Sequence, residues 1–183
     1  CHTDLARPAG WTMLHGCGGV SASALCDLVS GAWVASLGRA AARSRLPLLL
    51  TLSVDGRVGF DPLDPRDDAV RDAFRRDQRR DKGFGPALGP AAPDAILRVL
   101  RRYGYAVRMA RSDWRAGPAD GDFLTAMVAG IAAVAGPTGA AWLAARTDRI
   151  AAGALSTRVG HVDILGLPSY PPSGQASRSV TLL

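Results

Sequence analysis

The chain has 183 residues, a formal net charge of +6, 48% hydrophobic residues and 21% charged ones. That composition excludes disorder throughout, collagen and a disulfide scaffold, and the length allows one domain burying roughly two thirds of its unfolded surface. Lys82 is the one lysine among 22 basic residues, a bias that reflects high-GC coding and gives weak grounds for a nucleic-acid partner.

The first residue is Cys1 rather than Met, as expected of a processed, trimmed or partial reading frame. Cys1, Cys17 and Cys26 form an odd count without paired spacing, which fits a reducing cytosol and a cytoplasmic location. Gly16-Cys17-Gly18-Gly19 precedes a strand, whereas a phosphate cradle follows one, so it reads as a turn. Val20 to Leu25 (V-S-A-S-A-L) reads as small residues leaving a short strand. Helical spacing of Leu25, Leu28, Val29, Ala32, Trp33 and Leu37 predicts a helix over 24–37. Leu46 to Val54 is a nearly continuous apolar run, of a length suited to a strand buried on both faces.

Arg66 to Lys82 holds seven basic residues and five aspartates. It reads as a solvated amphipathic helix with Asp67–Arg71 and Asp72–Arg76 as i,i+4 pairs and Val70, Ala73 and Phe74 as the buried stripe. The competing reading is a phosphate or nucleic-acid surface, which the small net charge of the run, +2, disfavours. Residues 83–90 form a loop by composition. Pro93 opens a helix that Gly104 closes. Tyr105, Val107 and Met109 alternate as a strand. Phe123 to Ala145 carries no charge over 23 residues, but Gly136, Pro137 and Gly139 break it into two short helices, 122–135 and 138–154, rather than one membrane span. Thr157 to Leu167 is the last strand, and residues 169–183 read as a loose polar tail.

Alternating strands and helices mean an α/β layer structure with a mainly parallel sheet. Ligands in such folds sit beyond the carboxyl ends of the strands. The visible chemistry is thin. His2, His15 and His161 lack metal-ligand spacing, so no metal is expected, and His161 reads as structural. No nucleophile elbow occurs. What remains is a small-residue strand end and Asp27, one turn into the next helix.

The stretch from Val20 to Ser30 (V-S-A-S-A-L-C-D-L-V-S) resembles the fourth-strand motif of bacterial class I S-adenosylmethionine-dependent methyltransferases. Residues 47–56 resemble that family's fifth strand, Gln78 to Pro90 a loop of unusual composition, and Arg158 to Leu165 the seventh strand. The similarity runs from about Asp4 to Pro168. It implies a Rossmann-like sheet of order 3-2-1-4-5-7-6 with an antiparallel last strand and helices on both faces. Residues 1–168 would then be the carboxyl half of the domain, strands four to seven, followed by a flexible tail. The glycine-rich cofactor loop and the ribose-binding acid would lie upstream.

Position by position, the resemblance assigns Asp4 and Leu5 to the adenine ring of S-adenosylmethionine. It assigns Ser21, Ala22 and Ser23 to the methionine part, where small residues let the backbone come close. Asp27 is the candidate catalytic residue, orienting a methyl acceptor that the sequence does not name. The other reading of Asp27 is a helix-start carboxylate favoured by the macrodipole. Two further functions compete: a non-catalytic partner-binding remnant with bare strand edges, open to homodimerisation, and an RNA-binding module, for which aromatics are too few.

Overall fold

The computed structural model describes residues 8–169 and 179–182. It has α/β architecture with a mixed sheet and two compact units. The elements in chain order are β1 (Gly19–Ser23), α1 (Gly31–Arg43), β2 (Leu48–Asp61), α2 (Asp67–Gln78), α3 (Ala92–Arg102), β3 (Tyr105–Arg111), β4 (Trp114–Ala116), α4 (Gly121–Ala133), α5 (Gly136–Ala151), β5 (Ser156–Pro168) and β6 (Ser179–Leu182). Among the described residues no helix is long and apolar enough to cross a membrane.

Among the described residues the first unit comprises 8–55, 79–112, 161–169 and 179–182. It carries the strand order β3-β5-β2-β1-β6. β1 pairs parallel with β2, from Val20 opposite Leu48 to Ser23 opposite Thr51. It pairs parallel with β6 on its other edge, from Gly19 opposite Ser179 to Ala22 opposite Leu182. β3 runs antiparallel to β5. Within the stretch read as a loose tail, residues 179–182 therefore supply a strand.

Period-two alternation builds β1. Val20 and Ala22 point into the core while Ser21 and Ser23 stay half-buried. A Cβ at Gly19 would sit a tight 3.3 Å from the Pro47 ring, and the Val20 N–H bonds the Pro47 carbonyl at 2.9 Å. In β2, Leu48 and Leu50 are buried, each contributing about 1.5–3 kcal/mol. Leu49 points the other way and is 46% exposed. The apolar run is thus covered on one face at that residue, not on both as its composition predicts.

α1 starts at Gly31, seven residues later than helical spacing predicts. Ser30 caps it, its hydroxyl accepting from the Trp33 N–H at 3.2 Å. Upstream, Ala24 takes a left-handed backbone with φ 51°. The carbonyls of Asp27 and Val29, which a helix would use internally, accept instead from the N–H groups of Gly89 (2.8 Å) and Leu88 (2.9 Å). Leu25, Cys26 and Val29 are buried in a turn, so their spacing mimics a helical stripe. Asp27 therefore precedes the helix, and the macrodipole reading fails.

Trp33, Val34, Leu37 and Ala41 of α1 join Ile96 and Leu100 of α3 and Ile164 of β5 in one core. Tyr105 ties the start of β3 to it, its buried hydroxyl donating to the Leu46 carbonyl at 2.8 Å. Burial pushes that phenol up to about 12.

The second unit comprises residues 56–78 and 113–160. β4 pairs antiparallel with β5, Trp114 opposite Val159. α4 and α5 form a hairpin broken at Gly136 (φ 58°), as the glycines and Pro137 predict. Phe60, Val70, Leu124, Val128, Ile131 and Trp142 make its core. Gly139 is where the two helices touch. A Cβ there would drive into the Ala132 carbonyl, which is backbone and cannot rotate away. Gly139→Ala should destabilise this unit by about 1–3 kcal/mol, read as a lower urea midpoint.

α2 departs from the expected ion pairs. Asp67 is buried and bonds Trp142 Nε1 (2.7 Å) and Arg146 of α5 (2.5 Å), not Arg71. Arg71 pairs with Asp68, and Arg75 with Asp72, both at i,i+3. The first helical turn packs under α5, so its first carboxylate is taken by a tertiary partner.

Candidate functional site

The site lies in the first unit, beyond the carboxyl end of β1. The ladder between β1 and β2 closes with the Ala24 N–H on the Thr51 carbonyl, at 3.1 Å. The next residue of β2, Leu52, takes φ 54°. A non-glycine residue in that region costs of order 1–3 kcal/mol and persists only when its surroundings hold it. Here the hold is Asp163 of β5. Its Oδ1 accepts from the Leu52 N–H at 2.9 Å and from the Ser112 hydroxyl at 2.7 Å. The strand is thereby bent beside Ser53, as a bulge re-aims a side chain next to a site. Asp163→Ala should cost about 1–3 kcal/mol by leaving the Leu52 N–H unpaired, measured as a shift in the denaturation midpoint.

Around the bend sit Cys26, Asp27, Ser53 and His161, all buried. Asp27 Oδ1 and the Ser53 hydroxyl oxygen are buried without a hydrogen-bond partner. Burial raises the Asp27 carboxyl above its usual range; its own backbone N–H and the electrostatic influence of His161 and Lys82 work against that rise. Burial and then the Asp27 charge push the Cys26 thiol up to about 12, while the Ser53 hydroxyl pulls the other way without reaching hydrogen-bond geometry. At neutral pH Cys26 is a thiol, not a nucleophile.

Lys82 is brought into electrostatic reach of Asp27 by a loop that builds itself. Asp81 Oδ1 accepts from the N–H groups of Gly83 (2.8 Å) and Gly85 (3.0 Å). Both glycines have positive φ, and a Cβ on Gly85 would sit 3.3 Å from Ser30. Phe84 packs edge-on against Trp33, with centroids 6.2 Å apart. The Leu88 and Gly89 bonds described above then seal the loop to the Asp27 turn. The unusual composition of residues 81–89 is thus that of a clasp held by its own hydrogen bonds and by those to the Asp27 turn.

Of the sequence-predicted residues, Asp4 and Leu5 lie outside the described residues. Ser21 and Ser23 stand half-buried on one face of β1, and Ala22 is packed in the core on the other. Asp27 follows them within one turn. His161, read as structural, joins Asp27; Ser53, Asp163 and Lys82 were not singled out. The signal for Asp163 was its place two residues beyond His161, on the same face of a strand. Among the described residues no group of three or more His, Cys, Asp or Glu could hold a metal ion.

The arrangement presents one carboxyl with a buried, unpartnered oxygen at a parallel strand tip, with small hydroxylated residues alongside. It can accept a hydrogen bond, take a proton or face a cation. Compared with known protein families and with curated proteins, the chain gives no match.

Proposed function

We propose that this chain supplies the acceptor-side half of a class I S-adenosylmethionine-dependent methyltransferase. The observation that carries the reading is the strand order β1-β2-β5-β3 with β5 antiparallel to β3. It corresponds to strands 4-5-7-6 of the family order that the sequence resemblance implies. The buried, unpartnered Asp27 oxygen just beyond β1 supports the same reading, because this is where such folds place ligands.

The residues present fit that group on its methionine side. Ser21 and Ser23 would lie along the methionine portion, with Asp4 and Leu5 assigned to the adenine by resemblance alone. When bound, the sulfonium supplies an already activated methyl group. The chain's own task is positioning. Asp27 orients the acceptor through the oxygen that nothing in the protein occupies. Its raised affinity for a proton lets it take one from an acceptor that must lose it. Lys82 and His161 limit how far that affinity rises.

The competing reading, a partner-binding remnant, expects a bare edge on β1; β6 pairs along that edge over Gly19–Ala22, the place that strand one takes in the family order. Calorimetric titration of S-adenosylhomocysteine into the protein in its full reading frame tests the proposal. Saturable binding weakened at least tenfold by Ser23→Leu is expected. No binding at millimolar ligand overturns it.

A further inference from the structure

The second unit gathers four arginines from three elements around one recess. Arg57 comes from β2, Arg158 from β5, and Arg71 and Arg75 from successive turns of α2. With Val58 and Gly59 they line an open hollow of about 350 Å³. No carboxylate belongs to that lining.

Like charges are not gathered without cause, and each guanidinium is held by a specific contact. Asp113, only 7% exposed, takes Arg57 in a two-bond fork at 2.7 and 3.2 Å. It also takes Arg158, through Nε at 2.7 Å and through Nη2. Arg71 donates to the Val58 carbonyl at 3.0 Å, and Arg75 to the Gly56 carbonyl at 2.9 Å. Those two are steered by neutral backbone oxygens of β2, so their aim toward the strand does not depend on a carboxylate. Their acidic partners, Asp68 and Asp72, are themselves largely exposed, where an ion pair contributes little.

The geometry points to a binding site for phosphate oxygens of a small molecule, with Arg71 and Arg75 as the ligand-facing pair and Asp113 as the buried brace for Arg57 and Arg158. Planar guanidinium groups match phosphate oxygens with paired N–H donors, and several of them fixed in advance reduce the ordering cost of binding. The hollow is larger than a single phosphate, which favours a diphosphate over orthophosphate. This surface is distinct from the Asp27 site and does not depend on the activity proposed there.

Pyrophosphate, orthophosphate and sulfate are titrated into the protein at low salt, with binding read by calorimetry and by the thermal midpoint. Pyrophosphate is expected to bind tightest, to raise the midpoint with concentration, and to weaken as salt is added. Arg71→Gln and Arg75→Gln should each weaken it at least fivefold, while the midpoint without anion stays within a degree or two. Arg39→Gln, elsewhere in the chain, should bind as the parent does. Three results would overturn the proposal: equal response to sulfate and pyrophosphate, undiminished binding in the Arg71→Gln/Arg75→Gln double variant, or tight binding of an RNA oligomer that pyrophosphate does not displace.

Discussion

Replacing Arg146 by methionine is expected to lower the stability of the second unit by about 3–5 kcal/mol, the range for breaking a buried ion pair from one side. Arg146 is 1% exposed. Its guanidinium bonds Asp67 and, at 2.6 Å, the Pro62 carbonyl. It also lies over the Phe60 ring, 4.9 Å from the centroid, and 5.4 Å from that of Trp142. Methionine keeps much of the volume and loses every donor, so Asp67 would be left charged and buried. Replacing both, as Asp67→Leu/Arg146→Met, should recover much of the loss, because two buried charges and their desolvation disappear together. Urea denaturation of the single and double variants measures this; equal loss in both would show that packing volume, not the charge pair, governs the site.

The same pair sets an acid limit. Burial alone would raise the Asp67 carboxyl, but hydrogen bonds from Arg146, the Asp64 N–H and Trp142, with the Arg146 charge, hold it below its usual value. A carboxyl depressed in the folded state contributes stability above its unfolded pKa and loses it as pH falls through the folded one. Stability of the second unit should therefore decline in the acid range below about pH 4, and less steeply in Asp67→Leu/Arg146→Met.

At Asp27 the sign reverses. Its carboxyl is raised by burial, so the folded state holds the proton more tightly than the unfolded chain. Stability of the first unit should fall as pH rises from the ordinary carboxylate value through the raised one, and then level off. Asp27→Leu removes that fall. It should stabilise the first unit at neutral pH by about 1–3 kcal/mol, the cost of leaving a buried polar group unpaired. Under the proposed function, Asp27→Asn should cut methyl transfer by about 10²–10⁴-fold, the usual contribution of a positioned proton-transfer group, and flatten the acid limb of the pH–rate profile. Gain of stability together with loss of activity is the mark of a group kept for chemistry. A variant with unchanged rate and pH profile would reduce Asp27 to a packing residue.

Local patterns carried the element order well. The small-residue run of β1, the alternation in β3, the break at Gly136 and Pro137, and the opening of α3 at Pro93 are each written in a few consecutive residues. What long-range contacts decide was not legible. The α1 start moved because carbonyls of residues 27 and 29 are claimed from residues 88 and 89. Asp67 left its predicted partner for a residue 79 positions away. β4 is three residues long and is defined by its pairing with β5 rather than by its own pattern. The candidate site was legible only in its β1 half. Asp27 stood out beside the serines, but Ser53, His161 and Asp163 reach it through a sheet order that no spacing in the sequence encodes.

The Asp81–Gly89 clasp has a consequence for motion. A segment with three glycines and one proline, outside α-helix and strand, would ordinarily exchange its amide protons within the time of mixing with heavy water. The N–H groups of Gly83 and Gly85 are committed to the clasp's own Asp81 carboxylate, and those of Leu88 and Gly89 to the carbonyls of Val29 and Asp27 outside it. Their deuterium uptake should lag with the flanking helices rather than with free coil, and whatever docks beside Asp27 would meet a wall that does not have to settle first.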